Sequence, residues 1–136
     1  MTRLLVASLL LGVVLTGCAT PAGTGLTNIT WKWTASTTTT PVSQSVVPDP
    51  NNYTIEFKPN QSFDAKADCN QVSGTWSTDT GNGMDITLGP STMAACGPDS
   101  LAPTFVAGLD KVTNYVLDSN GLTLTLGTDG TMTFHQ

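Results

Sequence analysis

The chain has 136 residues, with ten acidic side chains against five basic ones and a formal charge of −5. Its basic residues are single and scattered, so it lacks the clustered cationic charge that displaces counterions from nucleic-acid phosphates. The same sparse charge argues against electrostatic docking on anionic lipid.

The first element is a leader. Arg3 gives a positive flank, and Leu4 to Leu15 form an uncharged apolar run. A membrane-spanning helix needs roughly 20 apolar residues, and this run stops short of that. A basic flank, a short apolar core and small residues before a cut mark a secretory signal. The ending Leu15-Thr16-Gly17-Cys18 is the bacterial lipoprotein pattern, in which the Cys18 thiol takes a diacylglycerol and the chain is cut before it. Residues 1–17 are therefore expected to be a lipoprotein signal peptide. Membrane attachment is expected through acyl chains on Cys18, where two or more chains anchor stably and one does not. The expected location is the cell envelope. Residue 19 is Ala rather than Asp, which in a two-membrane bacterium permits export to the outer membrane; otherwise the protein would sit on the outer face of the cell membrane.

Cleavage leaves one small domain, with Lys32, Lys58, Lys66 and Lys111 as its only basic side chains. With Cys18 lipidated, Cys69 and Cys96 remain as a pair in an oxidising compartment and are expected to form a disulfide. Two free buried thiols and half of a metal site are the competing readings. A metal site would want more Cys or His nearby.

Residues 18–28 are small and turn-rich, as expected of the lipidated cysteine and a flexible tether, with the domain proper at 29–136. Ile29 to Ser36 places Trp31 and Trp33 on one face and Lys32 and Thr34 on the other, a half-buried strand. Thr37 to Asn52 carries Pro41, Pro48 and Pro50 and reads as a long exposed loop, because proline does not sit in a central sheet. Loops on a rigid scaffold often carry binding, so this one is a candidate surface. Tyr53-Ile55-Phe57 and Phe63-Ala65-Ala67 alternate about a Pro59-Asn60-Gln61 turn, a hairpin. Further strands are expected at Asn70 to Thr78 and around Met84-Ile86-Leu88, joined by a polar turn at 79–83.

Leu101, Phe105, Leu109 and Val112 form one helical stripe, with Asp99 or Ser100 as cap and Pro103 in the first turn. Three short strands close the chain, with Asn120-Gly121 and Asp129-Gly130 as turns. The sum is an α+β, mostly β fold: a small, strongly curved antiparallel sheet or partly open barrel of about eight strands with one helix.

No catalytic residue is expected. His135 is alone and penultimate, and the acids are scattered, mostly in turns; Asp64 and Asp68 are the one close pair in a predicted strand. The Asp79 to Asp85 loop lacks the alternating oxygen ligands of a calcium loop. No metal or cofactor is implied. Trp31, Trp33 and Trp76 could form an exposed aromatic platform for a ligand, although aromatics in so small a domain more often fill the core.

Asp68-Cys69-Asn70 followed by Gly74-Thr75-Trp76 resembles the first signature of the META domain, the heat-shock protein HslJ-like family. Thr92-Met93-Ala94-Ala95-Cys96 resembles its second. The helix with Phe105 and Leu109, the 111–115 stretch and the Leu122-Thr123-Leu124 strand follow in the family's order, and the resemblance covers about residues 29–135. Asp68 stands where glycine is usual, which leaves open whether the position needs a positive φ. The resemblance implies a small β-rich envelope lipoprotein linked to stress or antibiotic tolerance, with no established catalytic residue. The expected partners are the membrane, through the N-terminal lipid, and an unknown envelope protein or cell-wall component. The alternative is a binder or inhibitor of a soluble periplasmic or extracellular hydrolase.

Overall fold

The computed structural model describes residues 25–136. The leader, Cys18 and the first part of the expected tether lie outside the described residues. Strict alternation builds the sheet: Tyr53, Ile55 and Phe57 are buried in β3 (Tyr53–Phe57), and Phe63, Ala65 and Ala67 in β4 (Ser62–Ala67). One face of each strand can thus cover a single core while the other meets solvent. The remaining strands are β1 (Thr30–Thr39), β2 (Val42–Val46), β5 (Asn70–Thr78), β6 (Met84–Ser91), β7 (Asn114–Asp118), β8 (Gly121–Thr125) and β9 (Gly130–His135).

The strands pair antiparallel in the order β6-β5-β4-β3-β1-β9-β8-β7, and β2 pairs with β1 off this path. The sheet curls into a half-barrel whose two edges touch at one corner. There the Met84 N–H donates to the Thr113 carbonyl at 3.0 Å and the Tyr115 N–H to the Asn82 carbonyl at 3.0 Å. The expected curved, mostly β fold with one helix is the fold observed.

Helix α1 (Ala102–Leu109) lies in the concave side and buries Ala102, Phe105, Gly108 and Leu109. Phe105 is its anchor, with ring centroids 5.5 Å from Trp33, 5.9 Å from Tyr53 and 6.3 Å from Phe134. Neither expected cap holds the N-cap position, which is Leu101 without a side-chain cap bond; Ser100 stands one residue earlier, where its Oγ accepts the Ala102 N–H at 3.2 Å. Gly108 weakens helix propensity, but a Cβ there would stand 2.5 Å from the Met132 sulfur. The helix sits as close to β9 as it does because that side chain is missing. Val112 falls beyond the helix and is buried all the same.

Two expectations need correction. The tether ends earlier than residue 28: Leu26 is fully buried, the Trp31 indole N–H donates to its carbonyl at 3.0 Å, and the Asn28 N–H donates to the Phe57 carbonyl at 2.9 Å. A leucine in a small-residue stretch was enough to dock the segment. The segment 37–52 is likewise no simple loop. β1 continues through Thr39, turns at Thr40-Pro41, and returns as β2 before a 3-10 turn at Pro50–Asn52. β-branched threonine and valine favour strand, and every proline falls in the turn or beyond the paired residues.

A bulge at Thr34 changes which side of β1 faces inward. Trp33 pairs with Phe134, but Ala35 pairs with Thr133 and Ser36 with the buried Met132. Before the bulge the tryptophans face the core. After it, the half-buried Ser36 and the exposed Thr38 take the Met132 side of the strand.

Candidate functional site

The first signature is an anchor. Asn70 opens β5, and its side-chain Oδ1 accepts from the Ala94 N–H at 2.8 Å and the Thr92 hydroxyl at 3.0 Å. Its Nδ2 donates to the Ala94 carbonyl at 2.9 Å. The amide thus pairs with residue 94 as a strand backbone would, and the Thr92 Oγ1 also accepts the Gln71 N–H at 2.9 Å. The disulfide Cys69–Cys96, with Cα atoms 5.5 Å apart, fixes the far end of the same segment. The disulfide expected from the cysteine arithmetic is therefore present, and the two cysteine motifs form one device. It holds Thr92–Cys96 against the end of β5 while the Met93 side chain, 92% exposed, projects into solvent. Replacing Asn70 with alanine is expected to cost about 0.5–1.5 kcal/mol, the net worth of hydrogen bonds whose backbone partners at exposed residue 94 water can take over. Hydrogen exchange at the Ala94 amide should accelerate while the barrel amides stay protected.

Asp68 settles the question its departure raised. It occupies the two-residue turn between Ala67 and Asn70 with φ +59°, the left-handed region. Aspartate tolerates that region better than most side chains. Gly74 has a different reason. A Cβ there would meet the Thr87 carbonyl oxygen at 2.2 Å and the Phe63 ring at 2.6 Å, where β5 carries a bulge between Val72 and Gly74. Gly74→Ala should therefore lower stability by about 1–3 kcal/mol through overpacking, readable as a shifted urea midpoint.

The exposed aromatic platform is not present. Trp31 is 1%, Trp33 2% and Trp76 8% exposed. Each indole N–H donates to a backbone carbonyl, of Leu26, Ala35 and Lys58 respectively, so the polar tips are satisfied inside the protein. Trp76 also meets Phe57 edge-on at 5.1 Å. Alternation places all three on inward faces.

Asp64, Asp68 and His135 do not share a cleft. Asp64 pairs with Lys58 at 3.3 Å, Asp68 borders a cleft with Pro48 and residues 96–101, and His135 borders another with Trp31 and residues 117–121. In the polar turn, the Asp79 Oδ1 accepts the Gly81 and Gly83 N–H groups, both at 2.7 Å. That carboxylate serves turn geometry.

A groove of about 990 Å3 lies between α1 and the projecting β1–β2 hairpin. Trp33 and Met132 form its floor. Hydroxyls of Ser36, Thr38 and Ser45 line the hairpin wall, and Thr104 and Ala107 the helix wall. Lys111 and Asp129 close one end as an ion pair at 2.6 Å. The hydrogen bond to Asp129 and its charge hold the Lys111 ammonium above its ordinary value of 10.5. A raised folded value means that the pair's contribution is present below pH 10.5 and is lost as pH rises through that higher value. An NMR titration of Lys111 should show the raised value, and Asp129→Asn should return it to the ordinary one. The 37–52 segment expected as a candidate surface supplies the hairpin wall of this groove, whereas the bulge at Thr34 that sets Ser36 and Thr38 on the Met132 side has no signature in the residues themselves.

A small half-barrel, plugged by one helix and carrying a motif segment pinned by an asparagine and a disulfide, defines the class of domain. The META domain family model matches residues 24–136, and the chain belongs to that family. Among solved structures it is similar to a DUF4847 family protein from Bacteroides vulgatus, with a TM-score of 0.64 and 16% identity over 84% of this chain and 96% of that one. It is also similar to a protein from Burkholderia xenovorans solved by NMR, with a TM-score of 0.62 and 20% identity over 96% and 97%. At such identities the likeness concerns the fold alone. No curated protein matches the chain.

Proposed function

We propose that the chain is a non-catalytic, lipid-anchored envelope module that supports envelope integrity or stress tolerance by binding another envelope component. The groove between α1 and the β1–β2 hairpin carries the reading. It is apolar at its floor, hydroxyl-lined on its walls and bounded by a charged pair, the composition of a binding cleft with a few polar groups that fix orientation. Ala107 is exposed on the helix wall, so Ala107→Trp would fill the groove without entering the core. In cells lacking the wild-type protein, full-length Ala107→Trp should fail to restore survival under envelope stress although it reaches the membrane in normal amount. Full restoration by that variant would overturn the reading.

The hydrolase-inhibitor reading has one observation in its favour. Met93 is an exposed apolar side chain on a segment held rigidly by Asn70 and the Cys69–Cys96 disulfide, as an interface anchor should be. Met93→Asp would abolish inhibition on that reading and leave groove function intact.

A further inference from the structure

The hairpin strand β2 is an edge of unusual character. Proteins blunt exposed edges with charge, proline or bulges. The edges β6 and β7 meet each other at one corner and carry Pro90, Asp85 and Asp118. By contrast, β2 is Val42-Ser43-Gln44-Ser45-Val46, all exposed, and pairs only with β1 among the described residues. No charged residue occurs between Lys32 and Asp49.

Its sequence reads the same in both directions, Val-Ser-Gln-Ser-Val. Antiparallel pairing of two such strands about their centre sets Val42 opposite Val46, Gln44 opposite Gln44 and Ser43 opposite Ser45. The backbone has matching parity. The Val47 N–H donates inward to the Thr34 carbonyl at 2.9 Å. Alternation along an antiparallel strand then turns the N–H and C=O groups of Val46, Gln44 and Val42 away from β1. These are the residues a twofold through Gln44 would bring together as hydrogen-bonded pairs, giving about six hydrogen bonds.

The side chains agree as well. Cross-strand partners share a face, so Val42, Gln44 and Val46 lie with Thr39, Thr37 and Ala35, away from the Met132 side. Val42 is 88% and Val46 75% exposed. The twofold would join them as two Val–Val pairs flanking a Gln–Gln pair. Pro41 and Pro48 close the ladder at its ends.

We propose that β2 pairs with β2 of a second copy of this chain about a twofold axis at Gln44, joining two half-barrels through one continuous ladder. The palindromic sequence supports a second copy as the occupant. Two chains of net charge −5 repel, and this uncharged hairpin lets them approach without apposing like charges. Two five-residue strands bury less than the ~1,200 Å2 of a standard stable interface, so the pairing is weak and reversible.

Crosslinking through one added cysteine in the full-length protein, with Cys69 and Cys96 left bridged, tests it. Hydrogen-bonded antiparallel partners have Cα atoms about 5.5 Å apart, inside the roughly 4.4–6.8 Å that a disulfide spans. Gln44→Cys should give a covalent dimer on mild oxidation. Val42→Cys alone should not, because its copy lies about 13 Å away along the strand, whereas Val42→Cys mixed with Val46→Cys should. Adding Val42→Lys and Val46→Lys to Gln44→Cys should remove the dimer. Failure of Gln44→Cys to crosslink, or equal crosslinking by Val42→Cys alone and by Thr87→Cys on β6, would overturn the proposal.

Discussion

Trp31→Ala is expected to cost about 3–5 kcal/mol, a third or more of the stability of a typical small domain. The side chain is 1% exposed, sits opposite Ile55 where β1 meets β3, and donates its indole N–H to the Leu26 carbonyl. Its removal therefore empties a large volume and frees the segment that docks the N-terminal end of the domain. A tryptophan serving as a surface platform would cost no more than about 0.5 kcal/mol when truncated. Urea unfolding followed by circular dichroism separates the two outcomes by a wide margin. A midpoint near that of the wild type would mean that Trp31 does not fill the core.

Loss of the disulfide has the second large effect. Cys69 and Cys96 are 27 positions apart, and in the chain-entropy account a loop of that length gives about 3–4 kcal/mol. The double variant Cys69→Ser/Cys96→Ser, which leaves no odd thiol, should unfold at correspondingly lower urea. Asn70 should still hold Ala94 in the folded form, because its three hydrogen bonds to residues 92 and 94 do not involve the sulfurs. Combining the double variant with Asn70→Ala should therefore free the 92–96 segment altogether. Identical midpoints with and without reductant in the wild type would contradict this account.

The residues told unequal amounts. Period-two alternation at Tyr53–Phe57, Ser62–Ala67 and Gly121–Thr125 marks strands with one buried face, and the 101–112 stripe marks the helix; both follow directly from side-chain geometry. The turns expected at Asn120-Gly121 and Asp129-Gly130 fall one residue earlier, at Ser119-Asn120 and 127–129, with Gly121 and Gly130 opening β8 and β9 at φ +128° and +144°. What was hidden is long-range. The β1–β2 hairpin lay concealed behind three prolines, although none of them interrupts the paired residues. The segment at Leu26 reads as tether because what docks it, Phe57 at the end of β3 against Thr27 and Asn28, comes from another part of the fold. The motif residues were visible as a pattern, but the role of Asn70 as a side-chain substitute for a strand needs coordinates. The groove depends on a single bulge at Thr34, and no property of threonine announces one.

Intact-mass and peptide-mapping mass spectrometry of the protein recovered from its own membranes tests the central claim most directly. The account predicts that the polypeptide starts at a diacylglyceryl Cys18 and that Cys69 and Cys96 emerge as one crosslinked peptide pair. A chain retaining Met1 or bearing an unmodified Cys18, together with alkylatable thiols at 69 and 96, would contradict it.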